Sequence, residues 1–308
     1  MNILYLSKVE PPERWIPGLS KRLPQDKFFT PDAFDPASID VALVARPQEG
    51  LAAKLANVKL IQSLWMGVDG LLADTTFPRD KPLARMIDPG MVAAMTESVV
   101  AHVLDYHKHH YLYRAYKAEK KWHRLPQYMT ADRTIGILGL GELGTAVAGR
   151  LLPLGFNVAG WKRRPGQIAA IECYSGSLGM GEMLARSNAV VCLLPLTAET
   201  RGVLNAAAFT RMPKGSCVIN VARGAHVVEK DLLAALDSGH LAHAYLDVFD
   251  TEPLPADSPL WAHPNVSITP HTAALTEPRT AMARIVENIE LIRTGKMPLN
   301  LVDFGAGY

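Results

Sequence analysis

The chain has 308 residues, 48% of them apolar, and a formal net charge of +2, so neither extended disorder nor an electrostatic footprint for nucleic acid is expected. Its three cysteines are odd in number and lack zinc-ligand spacing, which argues against a disulfide framework and favours a reducing compartment. The N-terminus lacks a basic region, and no run of about 18 apolar residues occurs. We therefore expect a cytoplasmic protein with no membrane span and no nucleic-acid partner.

The first part of the chain alternates short apolar runs with helical patterns. Strands are predicted over residues 2–6, 41–45 and 59–63, and one of the helices between them over residues 50–56. This alternation is typical of βαβ units in a parallel sheet. A long helical segment is then predicted over residues 91–122.

Three histidines in the second half of that segment raise the question of a metal site. They are His107, His109 and His110. A two-histidine site on a helix needs a spacing of four residues, which these positions do not offer. We interpret the segment as a solvated basic helix face and predict no metal ligand.

A second series of strands and helices begins at Thr134. It contains six predicted strands, over residues 135–138, 156–161, 189–194, 217–221, 244–248 and 266–269, with a helix over residues 144–152. Six strands with intervening helices make a complete doubly wound unit. A last amphipathic helix starts near Thr276 outside this unit. We expect it to pack on the first domain, which would then be discontinuous.

A glycine fingerprint directly follows the first strand of the second series and opens a helix. Its sequence is Gly139-Leu-Gly141-Glu-Leu-Gly144. In a dinucleotide site the first glycine permits the tight turn, and the second lets a pyrophosphate approach the helix N-terminus. The third lets the helix pack closely on the strand. The position between strand and helix favours dinucleotide binding over a structural glycine turn.

The end of the next strand indicates which dinucleotide is bound. An NAD site places an acidic residue about 20 residues after the fingerprint, on the ribose 2′-hydroxyl. Here the chain reads Trp161-Lys162-Arg163-Arg164-Pro165, with no carboxylate. Guanidinium and ammonium groups bind phosphate, so the three cations suit a 2′-phosphate. We predict that NADP(H) is preferred and that NAD(H) is possible, the alternative being a solvated basic turn.

Three later loops offer an arginine, a glutamate and a histidine after predicted strands, where α/β sheets bind ligands. They are Arg223, Glu252 and His271. Arginine can clamp a carboxylate and polarise a carbonyl, and histidine can supply a proton to a nascent alkoxide. Glutamate can orient the imidazole and favour its charged form. Each residue alone would most often be structural, but together beside the fingerprint they suit hydride transfer to a 2-oxo acid.

Several motifs recur in the order and spacing of one known family. Besides the fingerprint they are Leu194-Pro195-Leu196-Thr-Ala-Glu-Thr200, Val221-Ala-Arg223-Gly, Asp247-Val-Phe with Glu252-Pro, and Pro270-His271. The chain resembles the D-isomer-specific 2-hydroxyacid dehydrogenase family from end to end. The resemblance implies two doubly wound parallel-sheet α/β domains, with a Rossmann cofactor domain (residues 100–275) inserted into a discontinuous flavodoxin-like substrate domain (residues 1–99 and 276–308). It also implies a homodimer joined through the cofactor domains.

The resemblance assigns roles by position. Arg223 would bind the substrate, and His271 would be the general acid and base with Glu252 as its partner. Backbone groups around Met66 and Gly67 would hold the substrate carboxylate from the other domain. The cofactor-binding residues it implies are Gly139, Gly141, Glu142, Leu143, Gly144, Lys162, Arg163, Arg164, Leu194, Pro195, Thr200, Val221, Ala222, Arg223, Asp247, His271 and Ala273.

Further features resemble the branch of this family that reduces glyoxylate and hydroxypyruvate. They are Gly67-Val68-Asp69, Trp122 with Leu125-Pro126 and Tyr128, Arg223-Gly-Ala-His226-Val-Val, Asp257-Ser-Pro-Leu-Trp261, and Gly307-Tyr308. The main hypothesis is NADPH-dependent reduction of one of these small 2-oxo acids to the D-2-hydroxy acid. The alternatives are reduction of a bulkier 2-oxo acid and a non-enzymatic, dinucleotide-sensing role like that of a corepressor.

The sequence assigns no functional role to some of the aromatic and histidine residues. A substrate contact is neither predicted nor excluded for Trp122 or Trp261. The histidines outside the catalytic set are interpreted as structural or surface residues, namely His226, His240, His243 and His263.

Overall fold

The computed structural model describes residues 1–32, 34–48, 50, 55 and 57–308. The chain divides into two compact units, the first formed by Met1–Met91 with Leu275–Tyr308 and the second by Val92–Ala274. The predicted domain boundaries lie after residues 99 and 275. The helix predicted over residues 50–56 lies mostly outside the described residues.

The helices and strands follow one another as expected for βαβ units. The strands are β1 (Asn2–Ser7), β2 (Lys27–Phe29), β3 (Val41–Ala45), β4 (Leu60–Ser63), β5 (Leu83–Ala84), β6 (Thr134–Leu138), β7 (Asn157–Trp161), β8 (Glu172–Tyr174), β9 (Ala189–Cys192), β10 (Ser216–Asn220), β11 (Leu241–Leu246) and β12 (Val266–Ile268). The α-helices of the described chain are α1 (Ile16–Arg22), α2 (Asp69–Ala73), α3 (Pro89–His107), α4 (His110–Ala118), α5 (Glu142–Leu151), α6 (Gly176–Arg186), α7 (Ala206–Arg211), α8 (Glu229–Asp237) and α9 (Pro278–Arg293).

A five-stranded sheet forms the centre of the first unit. Its order is β2–β1–β3–β4–β5, and all its strand pairs are parallel. This is the flavodoxin-like order, with a switch point between β1 and β3. Every residue of β3 and β4 is buried, as expected for strands covered on both faces.

The last helix, α9, belongs to this first unit, which is therefore discontinuous in sequence. Its apolar stripe is buried at Ile285 and Ile289. Between these residues the buried Asn288 donates from Nδ2 to Oε1 of Gln62, on β4, at 2.7 Å. Because both amide side chains are removed from water, this bond fixes the helix against the sheet as well as satisfying the two groups.

The second unit contains a seven-stranded parallel sheet in the order β12–β11–β10–β9–β6–β7–β8. This is the Rossmann order, with a switch point between β6 and β9. Along β9, Val190 and Cys192 pack into one buried apolar cluster, and Ala189 and Val191 into another. Both faces of the sheet are therefore covered. The predicted fold class, two doubly wound parallel-sheet domains, is confirmed.

Three details of the predicted elements are wrong. The first sheet has five strands where three are predicted, because β2 and β5 are only three and two residues long. The six predicted strands are present, but β8 is a seventh, and its short Glu-Cys-Tyr sequence carries no apolar run. The helix predicted over residues 91–122 is broken at His109, whose φ of 58° ends α3 and starts α4. After α4 the chain continues without helix to Met129. None of the helices in the described ranges has both the length and the apolar character needed to cross a bilayer.

Candidate active site

The glycine fingerprint forms the turn between β6 and α5. Gly139 has a φ of 103°, and a Cβ there would lie 2.9 Å from the carbonyl oxygen of Leu193. A Cβ at Gly144 would lie 1.9 Å from the carbonyl oxygen of Gly139. These two glycines are therefore required by the turn and by the close approach of the helix to the strand.

Gly141 is different, because the fold itself does not require a glycine there. The residue is exposed, and a Cβ added to it would meet no atom within 4 Å. It stands directly before α5, whose first N–H groups have no partner within the helix. The open space in front of this helix N-terminus fits a pyrophosphate, which the helix dipole and the N–H groups would bind.

The basic loop after β7 lies at the same end of the sheet. Lys162 is half-buried, and its backbone N–H donates to the carbonyl oxygen of Tyr174 on β8 at 3.0 Å. Arg163 and Arg164 are exposed. On β8 the carboxylate of Glu172 forms an ion pair with Arg186. The loop therefore presents three cations from a backbone that β8 holds in place.

His271 and Glu252 form a hydrogen-bonded pair after β12 and β11. The two atoms that meet are Nδ1 of His271 and Oε2 of Glu252, at 2.7 Å. Oε1 of Glu252 accepts the backbone N–H of Phe249 at 2.9 Å. Because a carboxylate only accepts, Nδ1 carries a proton and Nε2 is the nitrogen that can exchange one with a substrate. The imidazole side chain is 49% exposed and therefore accessible.

The His271 loop is held by the buried carboxylate of Asp247. Oδ1 accepts from Oγ1 of Thr269 at 2.6 Å and from the N–H of Thr272 at 2.8 Å, and Oδ2 accepts from the N–H of Ala273 at 3.0 Å. The backbone carbonyl of Asp247 accepts the N–H of His271 at 2.8 Å. His271 itself has a φ of 54°, a strained conformation for a residue other than glycine. Asp247 thus fixes the backbone that carries the imidazole.

Arg223 lies between β10 and a short 3-10 turn, Gly224–His226. A Cβ at Gly224 would lie 1.8 Å from the carbonyl carbon of Phe249, so only glycine lets this loop reach the chain after β11. Nη1 of Arg223 donates to the carbonyl oxygen of Ala222 at 2.7 Å. Since β10, β11 and β12 are neighbours, the loops of Arg223, Glu252 and His271 share one edge of the sheet.

His226, which is predicted to be a structural or surface residue, is fully buried beside this set. Its Nδ1 lies 3.3 Å from the backbone nitrogen of Arg223, and its Nε2 lies 3.3 Å from the carbonyl oxygen of Pro195. The same carbonyl accepts Oγ1 of Thr200 at 2.7 Å. The signal for this histidine in the sequence is its place in the motif Arg223-Gly-Ala-His226-Val-Val, three residues after Arg223.

The remaining predicted residues lie in varied surroundings. In the first unit, Met66 and Gly67 are half-buried in the loop after β4. In the second unit, Trp122 is 94% exposed, and Trp261 donates from Nε1 to the carbonyl oxygen of Pro255 at 2.9 Å. His107 is buried with its ring edge against Phe156. The described residues contain no group of three or more potential metal ligands.

Known proteins are similar in sequence to this chain over its full length. Residues 100–273 match the family described as D-isomer specific 2-hydroxyacid dehydrogenase, NAD binding domain. Glyoxylate/hydroxypyruvate reductase A of Serratia proteamaculans (strain 568) is 41% identical over 100% of both chains. The chain belongs to the D-isomer-specific 2-hydroxyacid dehydrogenase family. The resemblance seen in the motifs is confirmed, and so is the prediction of a dehydrogenase.

Solved structures of this dehydrogenase family have the same fold. A D-isomer specific 2-hydroxyacid dehydrogenase from Xanthobacter autotrophicus Py2, in complex with NADPH and MES, gives a TM-score of 0.96 at 40% identity, over 100% of this chain and 99% of that chain. An NADPH-dependent glyoxylate/hydroxypyruvate reductase from Sinorhizobium meliloti, in complex with NADP and sulfate, gives a TM-score of 0.93 at 34% identity, over 100% of this chain and 99% of that chain.

Proposed function

We propose that this dehydrogenase catalyses NADPH-dependent reduction of a small 2-oxo acid, glyoxylate or hydroxypyruvate, to the D-2-hydroxy acid. The observation that carries the proposal is the His271–Glu252 hydrogen bond of 2.7 Å beside the Arg223 loop, in the unit that holds the glycine fingerprint. The substrate follows the name of the Serratia relative, which matches the chain at 41% identity over its whole length.

Each polar residue of the set has a task in this reaction. The guanidinium of Arg223 binds the substrate carboxylate and polarises the carbonyl that is reduced. NADPH, when bound, supplies a hydride to the carbonyl carbon. His271 donates the proton on Nε2 to the carbonyl oxygen as negative charge grows there. Glu252 accepts Nδ1–H, orients the ring and favours the imidazolium that donates.

The cofactor is proposed to lie along the loops at this edge of the sheet. The N-terminus of α5 before Gly141 fits the pyrophosphate, and Lys162, Arg163 and Arg164 fit the 2′-phosphate of NADP(H). The complexes of the Xanthobacter and Sinorhizobium proteins with NADPH and NADP support this preference. Further lining is assigned to Glu142, Leu143, Leu194, Pro195, Thr200, Val221, Ala222, Asp247 and Ala273. Backbone groups of Met66 and Gly67 are proposed to hold the substrate carboxylate.

A homodimer and a cytoplasmic location complete the proposal. Trp122, Tyr128 and Met129 are exposed apolar residues in one segment, a pattern that supports an interface between copies of the chain. The three cysteines are unpaired, which suits a reducing compartment.

The test is a panel of 2-oxo acids measured with NADPH and with NADH. We expect the highest kcat/KM for glyoxylate or hydroxypyruvate with NADPH. If kcat/KM is highest for phenylpyruvate or a branched 2-oxo acid, the substrate is a bulkier 2-oxo acid instead. Binding of NADPH without turnover of any 2-oxo acid would refute the proposed reaction and favour a sensing role.

A further inference from the structure

The buried His226 joins two loops that otherwise belong to different parts of the proposed site. Its ring lies between the backbone of Arg223 and the carbonyl of Pro195, which is 31 residues away in sequence. The Arg223 loop carries the group that would bind the 2-oxo acid. The segment from Pro195 to Thr200 carries groups that would line the cofactor.

The hydrogen-bond chemistry gives the two ring nitrogens separate tasks. With its proton on Nε2, the ring donates to the Pro195 oxygen and leaves Nδ1 as an acceptor for the N–H of Arg223, so this tautomer uses both ring nitrogens. Thr200 donates to the same oxygen from Oγ1 at 2.7 Å, so that carbonyl is held by two donors. On the other side of the ring, Nδ1 accepts the N–H of Arg223 at 3.3 Å, and it lies 3.1 Å from the Arg223 carbonyl oxygen.

Backbone contacts join the same two stretches of chain. The N–H of Gly202 donates to the carbonyl of Ala225 at 2.8 Å, and the N–H of Leu204 donates to the carbonyl of His226 at 2.9 Å. The chain after Thr200 is thus already aligned with the turn after Arg223. The side chain of His226 adds two contacts to this pairing, one with the Pro195 carbonyl and one with the Arg223 backbone.

We propose that His226 is a positioning residue that fixes the substrate-binding loop through Nδ1 and the cofactor-binding loop through Nε2. This inference rests on the proposed function, in which Arg223 binds the 2-oxo acid and Pro195 and Thr200 line the NADP site. The role is indirect, because the ring reaches both loops through backbone atoms.

Two isosteric variants separate the two tasks. In His226→Asn the amide occupies the position of Nδ1, so the Arg223 contact is kept and the Pro195 contact is lost. In His226→Gln the amide reaches the position of Nε2, so the Pro195 contact is kept and the Arg223 contact is lost. His226→Ala removes both. His240→Asn is the matched control, because Nε2 of His240 contacts the carbonyl oxygens of Phe209 and Met212, at 2.8 and 3.1 Å, which lie outside both loops.

The readouts are the dissociation constant of NADPH, from its fluorescence, and the KM and kcat for glyoxylate. For His226→Asn we expect NADPH to bind about fivefold more weakly with the glyoxylate KM within about twofold of wild type, the size expected for one hydrogen bond. For His226→Gln we expect the reverse, a loss of about fivefold in kcat/KM for glyoxylate with NADPH binding kept. His240→Asn should change neither constant.

Thermal unfolding of each variant distinguishes positioning from general stability. If His226→Asn and His226→Gln alter both constants by one common factor that follows the loss of stability, the positioning role is wrong while the proposed function stands. If neither variant alters either constant, the role is also wrong. A wild-type enzyme that fails to reduce any 2-oxo acid refutes the proposed function instead, and the NADPH affinity of His226→Asn still tests the contact with Pro195.

Discussion

At the residue scale, the carboxylate of Glu252 uses each of its oxygens for a different donor. One accepts the N–H of Phe249 and the other accepts Nδ1–H of His271. An amide has only one oxygen, so Glu252→Gln cannot satisfy both donors, and it removes the charge that favours imidazolium. We expect kcat for glyoxylate reduction to fall about 100-fold, with the NADPH dissociation constant within about twofold.

The controls for this variant are a second amide substitution and the loss of the ring itself. Glu182→Gln, an exposed position on α6, should leave kcat unchanged. His271→Ala should lose most turnover while NADPH still binds, because the cofactor is held mainly by the fingerprint. A Glu252→Gln enzyme with wild-type kcat would remove Glu252 from its assigned role.

Arg223 gives a second prediction at this scale. Arg223→Lys keeps the positive charge but replaces a planar fork of N–H donors with a single ammonium group. One guanidinium is assigned both to the carboxylate and to the carbonyl, so we expect a higher KM and a lower kcat for glyoxylate. Together they should lower kcat/KM at least about tenfold. Steady-state kinetics with Arg211→Lys as the control checks this, and unchanged kcat/KM in Arg223→Lys would exclude Arg223 from the site.

The sequence identified some of these residues and missed others for a physical reason. Arg223, Glu252 and His271 each follow a strand, and the ends of neighbouring parallel strands meet at one edge of the sheet. The position of the His226 ring between Arg223 and Pro195 depends on packing between distant stretches of chain, which no local pattern reveals. Asp247 is predicted from the resemblance as a cofactor-binding residue, but the hydrogen bonds by which its carboxylate holds the loop from Thr269 to Ala273 depend on such packing as well.

At the scale of elements, the loop after β7 is proposed to determine the cofactor preference. Charge-assisted bonds to a 2′-phosphate contribute about 1.5–3 kcal/mol each, and NADH lacks this phosphate. We expect at least about a tenfold preference for NADPH in kcat/KM. The double variant Arg163→Ser with Arg164→Ser should lower kcat/KM for NADPH and leave that for NADH nearly unchanged.

Arg150→Ser is the control for this loop, because Arg150 is an exposed cation at the end of α5. This variant should leave kcat/KM unchanged for NADPH and for NADH. Wild-type enzyme that uses NADH as well as NADPH would contradict the assigned phosphate contact, and so would an equal loss with both cofactors in the double variant.

The elements that sequence predicted and those it missed differ in the strength of their local signal. Buried parallel strands such as β3 and β9 are continuous apolar runs, which are visible without any tertiary information. β8 has three residues that are partly exposed at the edge of the sheet, so its pairing with β7 decides its structure. The break at His109 lies within residues of ordinary helix propensity, and the ion pair of Asp105 with Arg114 spans the break.

Three histidines of the second unit whose pKa is lowered by burial should make this unit less stable in acid. His243 is 2% exposed on β11, and its ring packs against those of Tyr111 and Tyr245. Burial lowers the pKa of His243 to about 4, while an unfolded histidine has a pKa of about 6.5. As pH falls below about 6.5, the unfolded chain therefore gains a proton that the folded chain does not take up until about pH 4.

The free energy of unfolding should accordingly fall by about 2 kcal/mol between pH 7 and pH 5 from this histidine alone. Burial also lowers the pKa of His102 and of His107, which adds to the effect in the same direction. Urea unfolding at the two pH values measures the change. In His243→Gln the free energy of unfolding should depend less steeply on pH. If the variant loses as much free energy of unfolding between pH 7 and pH 5 as the wild type, His243 is not the source of the effect.

At the scale of the whole molecule, the segment after α4 (residues 119–129) is held in place yet presents Trp122 outward. The N–H of Leu125 donates to the hydroxyl of Tyr113 at 3.2 Å, and Nε2 of His109 donates to the carbonyl of Pro126 at 3.2 Å. Trp122 is nevertheless 94% exposed. An ordered backbone with an outward tryptophan is typical of an interface, where aromatic residues contribute most of the binding energy.

We therefore expect the 33.6 kDa chain to form a dimer in solution, and light scattering at micromolar concentration should give twice that mass. Trp122→Glu places a charge where an apolar surface would be buried, so it should raise the dimer dissociation constant by at least about tenfold. Leu178→Glu is the matched control, since Leu178 is 84% exposed on α6 and outside the segment. It should leave the dimer intact. A wild-type mass of 33.6 kDa would refute the dimer, and an unchanged dimer dissociation constant in Trp122→Glu would locate the interface outside this segment.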